Sequence, residues 1–197
     1  MVALTFDACP TRPPVELDDR IVTELVTAGA PATFFVSGRW AKTVPDAVRR
    51  LAAEPLFEIG NHSMRHPHLK KLDGPHVRAE LSETQDVLEA LAGRRPRWFR
   101  PPFGEVDARI AGEAAAVGLA TVNFDVASGD PAPDMTRARL VHAVLANVRP
   151  GSIVVLHANH RKFATADAVP EIVEGLRAKG YELVTVSRLV DAGAAVR

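Results

Sequence analysis

Apolar residues follow two rhythms along the 197-residue chain, and the two rhythms alternate. Short continuous runs, of the kind buried on both faces of a parallel sheet, fall at 2–6, 32–36, 57–60, 98–100, 120–126, 152–156 and 182–186. Between them lie stretches with helical spacing. Leu17, Ile21 and Leu25 define the first, over 17–28, with Asp18 and Asp19 in its first turn, where the helix dipole favours negative charge. Further helices are predicted at 44–53, 74–92, 106–117, 136–148 and 168–179, and Gly29, Gly93 and Gly118 stand where three of the helices stop. This alternation predicts a parallel sheet covered by helices. About seven strands, with no Gly-x-Gly-x-x-Gly after the first, favour a barrel over a dinucleotide-binding sheet. A single domain over 1–197 is expected, large enough for a full core.

Composition narrows the function by exclusion. Lys plus Arg number 24 and Asp plus Glu number 24, so the formal net charge is zero and no basic field exists to hold nucleic acid. No run of 18 or more apolar residues is present to span a membrane. The chain opens inside a strand rather than with a signal peptide, which reads as a trimmed domain boundary or a cytoplasmic form. Cys9 is the sole cysteine, so no internal disulfide forms.

Polar residues gather where the apolar runs stop. The run at 57–60 ends in Gly60 and is followed by His62-Ser63-Met64-Arg65-His66-Pro67. If 63–66 form one helical turn, His62 and His66 share a face, ~5–6 Å apart at Cβ, which lets two imidazoles share a divalent metal. The alternative is a polar loop whose histidines cap a helix. The other strand ends carry Asp7, Arg100, Asp130 and His157. A barrel places its chemistry at the carboxyl ends of its strands, and five polar motifs at such ends are improbable by chance. Taken singly, Arg100 has the bland reading of a surface ion pair, and Asp130 that of a Gly-Asp-Pro turn. His68, His76, His142 and His160 read as solvated or capping side chains. Trp40 and Trp98 read as core, with Trp98 also a candidate to line a ligand site.

These motifs resemble the polysaccharide deacetylases of the NodB-homology type, carbohydrate esterase family 4, over essentially the whole chain. Thr5-Phe6-Asp7-Ala8-Cys9 is similar to the family's Thr-Phe-Asp-Asp-Gly, His62-Ser63-Met64-Arg65-His66 to its His-Ser/Thr-x-x-x-His, and Arg100-Pro101-Pro102-Phe103-Gly104 to its Arg-Pro-Pro-x-Gly. Ser128-Gly129-Asp130-Pro131 matches the end of a degraded Asp-x-x-Asp-Trp, and Leu156-His157 matches its Leu-His. The resemblance implies a distorted, incompletely closed (β/α)7 barrel with parallel strands. It implies hydrolysis of N- or O-acetyl groups on a saccharide such as chitin, peptidoglycan or xylan, assisted by a divalent metal, zinc first, on His62 and His66. In that reading Asp7 is the general base, held by Arg100. His157 is the general acid, supported by Asp130, and the backbone N–H of Phe103 is an oxyanion donor.

One departure bears on the metal. The family's second aspartate is a ligand, and here it is Ala8, which cannot coordinate. Three readings stay open. Asp7 swings onto the metal, another carboxylate such as Asp18 or Asp19 supplies the ligand, or metal binds poorly or not at all. Cys9 also falls near the site, where a thiolate binds zinc. Two function classes therefore remain besides the deacetylase: a catalytically weakened carbohydrate-binding domain on the same barrel, and a small-molecule C–N hydrolase. The expected partner is an acetylated saccharide, with no nucleic acid and no membrane span. The expected state is a monomer, and the expected location is extracellular or at the cell wall, by resemblance.

Overall fold

β1 (Ala3–Ala8), β2 (Ala32–Val36) and β3 (Phe57–Asn61) are buried almost throughout, which is why they carry continuous apolar runs rather than alternation. In the computed structural model, which describes residues 1–10 and 13–194, these three strands lie at the centre of a seven-stranded sheet. The others are β4 (Trp98–Phe99), β5 (Ala120–Thr121), β6 (Val126–Ala127) and β7 (Ile153–His157). All pairings are parallel, in the order β5-β4-β3-β2-β1-β7-β6. Among the described residues no ladder joins the two edge strands, so the sheet curls into a distorted, incompletely closed (β/α)7 barrel. Thr11 and Arg12 lie outside the described residues.

Helices α1 (Asp19–Thr27), α2 (Gly38–Thr43), α3 (Pro45–Ala53), α4 (Gly74–Ala92), α5 (Ala108–Ala116), α6 (Arg137–Asn147), α7 (Thr165–Ala178) and α8 (Val186–Ala194) complete the chain. Four of the starts are set by side-chain caps. Asp18, Asp73, Asp107 and Thr136 each accept from a backbone N–H in the first turn of α1, α4, α5 and α6. Gly93 stops α4 with φ 73°, a conformation that suits glycine.

The faces of β1 separate core from chemistry. Leu4, Phe6 and Ala8 pack in an apolar layer with Phe34, Val36, Val154 and Leu156. The alternate residues Thr5 and Asp7 turn the other way and meet Arg100. In the apolar layer Phe6 stacks on Phe34 at 5.2 Å between ring centroids, and Phe34 meets Phe57 edge-on at 5.0 Å. Such pairs add about 0.5–1.5 kcal/mol each beyond the area they bury.

Three elements differ from the sequence reading. The single strand predicted at 120–126 is two strands on opposite edges of the sheet, and 122–125 carries the chain between them. The predicted strand at 182–186 is reduced to one bridge, Val2 to Leu183, before α8 begins at Val186. The helix predicted at 44–53 is α3, and a further short helix, α2, precedes it unpredicted; the two are separate because Val44 leaves helical geometry just before Pro45. Trp98 is core: its Nε1 donates to Ser187 Oγ at 2.8 Å and its ring packs with Ala3, Phe35 and Val186, which leaves it no part in a sugar site.

Candidate active site at the carboxyl ends of the strands

Asp7 and His157 are direct neighbours on adjacent strands, paired in register between β1 and β7. Together with Cys9, His66, Phe103, Phe124, Asp130 and Val155 they line an open cavity of ≈ 400 Å³. Arg100 reaches Asp7 from the end of β4: its Nη1 donates to Asp7 Oδ1 at 2.8 Å and to Thr5 Oγ1 at 2.7 Å. The guanidinium is 0 % exposed, which removes the reading of a surface ion pair. It lies over the Phe35 ring at 4.1 Å, and that ring occupies the space where a Cβ at residue 60 would fall, 2.4 Å from Phe35 Cδ1. Gly60 is therefore a glycine so that Phe35 can carry Arg100.

Burial alone pushes the Asp7 carboxyl up, but Arg100, with His62 and His157, outweighs it and holds Asp7 below the ordinary carboxylate value. A buried carboxylate kept ionised beside a cavity can accept a proton from a water there.

The histidine segment is not a helical turn. Ser63 and His66 both have positive φ, 61° and 58°, so the segment is a tight loop. The loop is tied at each step. Asn61 Oδ1 accepts from the Ser63 N–H at 2.9 Å, and Ser63 Oγ accepts from the His66 N–H at 3.1 Å. Asn61 Nδ2 donates to the Leu81 carbonyl at 3.0 Å, and Glu80 accepts from the Arg65 N–H and guanidinium at 2.8 and 2.7 Å, so α4 is its scaffold. The result still brings the two rings together, 4.8 Å between centroids.

His62 Nδ1 donates to the Arg100 carbonyl at 2.8 Å, which leaves the Nε2 lone pair facing inward, 3.6 Å from Asp7 Oδ2. Burial lowers the pKa of His62, and burial together with His62 lowers that of His66 to about 4. Both rings are neutral at neutral pH, the state in which imidazole binds a metal. A divalent ion fits this pair, because one ring is already oriented by its outer hydrogen bond and each offers a nitrogen with no hydrogen bond among the described residues. Asp18 and Asp19 do not supply a further ligand. Asp18 accepts from Arg20 Nε and Nη2 at 2.9 and 2.7 Å, and Asp19 pairs with Arg50 at 2.8 Å.

Asp130 is no mere turn residue. Its buried carboxylate accepts from His157 Nδ1 at 2.8 Å, His157 N–H at 2.6 Å, Ser128 Oγ at 2.9 Å and Thr165 Oγ1 at 2.7 Å. A carboxylate only accepts, so His157 Nδ1 carries a proton and Nε2 is left for the cavity. Burial lowers the His157 pKa, yet the Asp130 hydrogen bond and charge, with Asp7 behind them, raise it above the ordinary imidazole value. Opposite it, Phe103 sits at φ 59° with its ring 55 % exposed, between His66 at 4.6 Å and His68 at 4.2 Å. His68 also bonds Glu105, and His76 bonds Asp73 at its helix cap, away from the cavity.

Sequence reasoning did not single out Thr5, Glu80, Ser128, Phe124 or Thr165. Thr5 and Ser128 fall inside the Thr5–Cys9 and Ser128–Pro131 motifs. The rest are long-range partners with no local signal.

Residues 1–122 match the polysaccharide deacetylase family. The peptidoglycan-N-acetylmuramic acid deacetylase PdaC of Bacillus subtilis is 32% identical over 193 residues, 96% of this chain and 38% of that protein. Its solved structure superposes with a TM-score of 0.84 and 31% identity, covering 98% of this chain and 91% of that one. A peptidoglycan-N-acetylglucosamine deacetylase of Bacillus cereus is 32% identical over 188 residues, 94% of this chain and 66% of that protein. The chain thus spans less than two thirds of either relative's full length. BA3943 of Bacillus anthracis, described as a pseudoenzyme of carbohydrate esterase family 4, has a TM-score of 0.85 at 27% identity, covering 96% of this chain and 64% of that one. The family match over more than half its length, at the end of the chain that carries Asp7, His62, His66 and Arg100, places the chain in the polysaccharide deacetylase family.

Proposed function

We propose that this chain hydrolyses N- or O-acetyl groups on a polysaccharide or oligosaccharide, with a divalent metal, zinc first, on His62 and His66. The observation that carries the reading is the opposed pair across one cavity: Asp7, whose pKa is lowered, and His157, whose pKa is raised by Asp130. Environments that push two titratable groups apart are the mark of a base and an acid with separate tasks. The metal, when bound, polarises the acyl oxygen and lowers the pKa of water. Asp7 accepts the proton of the attacking water at Oδ2, since Oδ1 is engaged by Arg100. The Phe103 amide would donate to the developing oxyanion. His157 Nε2 delivers a proton to the departing amine or alcohol, while Asp130 keeps the ring aimed. Phe103, Phe124 and Val155 give the cavity an apolar wall suited to an acetyl methyl.

The test is release of acetate from chitooligosaccharide, peptidoglycan and acetylated xylan by the zinc-loaded protein. Wild type should release acetate from at least one, and Asp7→Asn should do so ~10²–10⁴-fold more slowly. No release from any would favour the second reading, a carbohydrate-binding domain weakened as an enzyme. Ala8 and the likeness to BA3943 favour that reading, and a mutant of BA3943 is described as having restored activity. Saccharide binding without turnover would be its signature.

A separate expectation concerns the ligands. His62→Ala should lose most of the metal that wild type retains after dialysis, measured by elemental analysis. Equal metal in both would place the ion elsewhere.

A further inference from the structure

Resting on that metal reading, we propose that Cys9 supplies the third protein ligand and takes over the task lost at Ala8. Sγ of Cys9 and one nitrogen from each of His62 and His66 lie within 4.8 Å of one another, a set in which Asp7 is not included. A tetrahedral zinc with Zn–N of ~2.0 Å and Zn–S of ~2.3 Å needs its ligand atoms ~3.3–3.6 Å apart. His62 is buried and presents a nitrogen that makes no hydrogen bond among the described residues, so the pocket already contains one ligand aimed and unspent.

The backbone that carries Cys9 is fixed. The Asp7 carbonyl accepts from Ala158 N–H at 3.0 Å, the Ala8 carbonyl from Ser37 N–H and Oγ at 3.1 Å each, and the Cys9 carbonyl from Asn159 Nδ2 at 2.9 Å. Three successive carbonyls are thus anchored, and the Cys9 side chain lines the cavity. Ala8, in contrast, is wholly buried in the apolar layer with Leu4 and Phe6. A ligand at residue 9 also leaves Asp7 with Arg100, free to act as base. Three protein ligands with an open fourth position form the pattern of catalytic rather than structural zinc. Replacing a carboxylate by a thiolate makes the set softer, which favours zinc or cobalt over magnesium or manganese.

Cobalt(II) distinguishes this inference from the metal reading beneath it, because its visible d–d bands report a tetrahedral site of any ligands and a near-ultraviolet charge-transfer band reports a thiolate. Metal-free wild type titrated with cobalt should bind one equivalent and show both. Cys9→Ala should lose the charge-transfer band and bind more weakly by more than the ~10–100-fold that loss of an outer partner costs. Cys9→Asp, which restores an anionic ligand, should regain affinity and d–d bands without the charge-transfer band. That variant guards against a fold defect in Cys9→Ala. One equivalent of tetrahedral cobalt in wild type with no charge-transfer band, and equal affinity in Cys9→Ala, would overturn the role of Cys9 while leaving the metal on His62 and His66. Failure of wild type to bind cobalt or zinc any better than His62→Ala would overturn both.

Discussion

Replacing His157 by alanine is expected to lower kcat for deacetylation by ~10²–10⁴, the usual worth of a positioned acid or base. The ring stands at the end of β7, directly across from Asp7 in register, so it can deliver a proton into the cavity from that side. Its competence depends on Asp130. Burial would otherwise deprotonate it, and the Asp130 hydrogen bond and charge reverse that. A general acid with a raised pKa is fully protonated below that value and loses activity as pH rises through it. Asp130→Asn removes the charge but keeps a side-chain oxygen that can accept from Nδ1–H. The high-pH limb of the kcat profile should therefore move to lower pH, with metal content unchanged. Thr165 and Ser128 spend their hydroxyls on the same carboxylate, so Thr165→Val, which removes a donor and leaves the carboxylate a stronger partner for His157, should shift the limb by less and to higher pH. A profile that does not move in Asp130→Asn would mean that the limb belongs to another group.

What the sequence made legible was the alternation and the strand ends. Continuous apolar runs are a direct consequence of burial on both faces, and they located β1, β2, β3 and β7 within a residue or two. Asp7, His62, His66, Arg100, Asp130 and His157 were visible because each closes or follows such a run, and the structure brings all six to one end of the barrel. Where reading failed, the deciding contacts were distant. The segment after Thr121 looks like more strand, but the barrel is open between β5 and β6, and the chain there crosses from one edge to the other. Asn123 reaches across to the Gly104 carbonyl at 2.9 Å, a contact with no local signature. Spacing suggested a helical turn at His62–His66. The pair is instead held by positive φ at Ser63 and His66 and by α4, a strain tolerated because Asn61 and Glu80 satisfy the loop's amides. Asp18 and Asp19 were candidate ligands only because they are acidic and close in sequence. The arginine that engages Asp19 comes from 31 residues away, and the one that engages Asp18, though only two residues on, is fixed in place by the Arg161 carbonyl.

Arg100→Met is expected to destabilise the metal-free protein by about 3–5 kcal/mol near neutral pH, the usual result of leaving one member of a buried pair alone. Methionine fills much of the volume over Phe35, so the loss measures charge more than packing. The pH dependence separates the two. In wild type the Asp7 pKa is lowered, so its contribution to stability is present above the unfolded value, ~3.9, and is lost only as pH falls through the lower folded value. Without Arg100, burial is the dominant influence and the folded pKa moves above the unfolded one. Asp7 then favours folding at low pH and opposes it increasingly as pH rises. The difference in unfolding free energy between wild type and variant, from urea titrations at about pH 5 and about pH 7.5, should therefore shrink at the lower pH. Adding Asp7→Asn to Arg100→Met removes the stranded charge and should recover a large part of the loss, so the cycle of single and double variants should be strongly non-additive. Additive losses, or a penalty equal at both pH values, would mean that Arg100 stabilises the barrel through its contact with Phe35 and not through Asp7. The base of the reaction would then be without the partner that keeps it ionised.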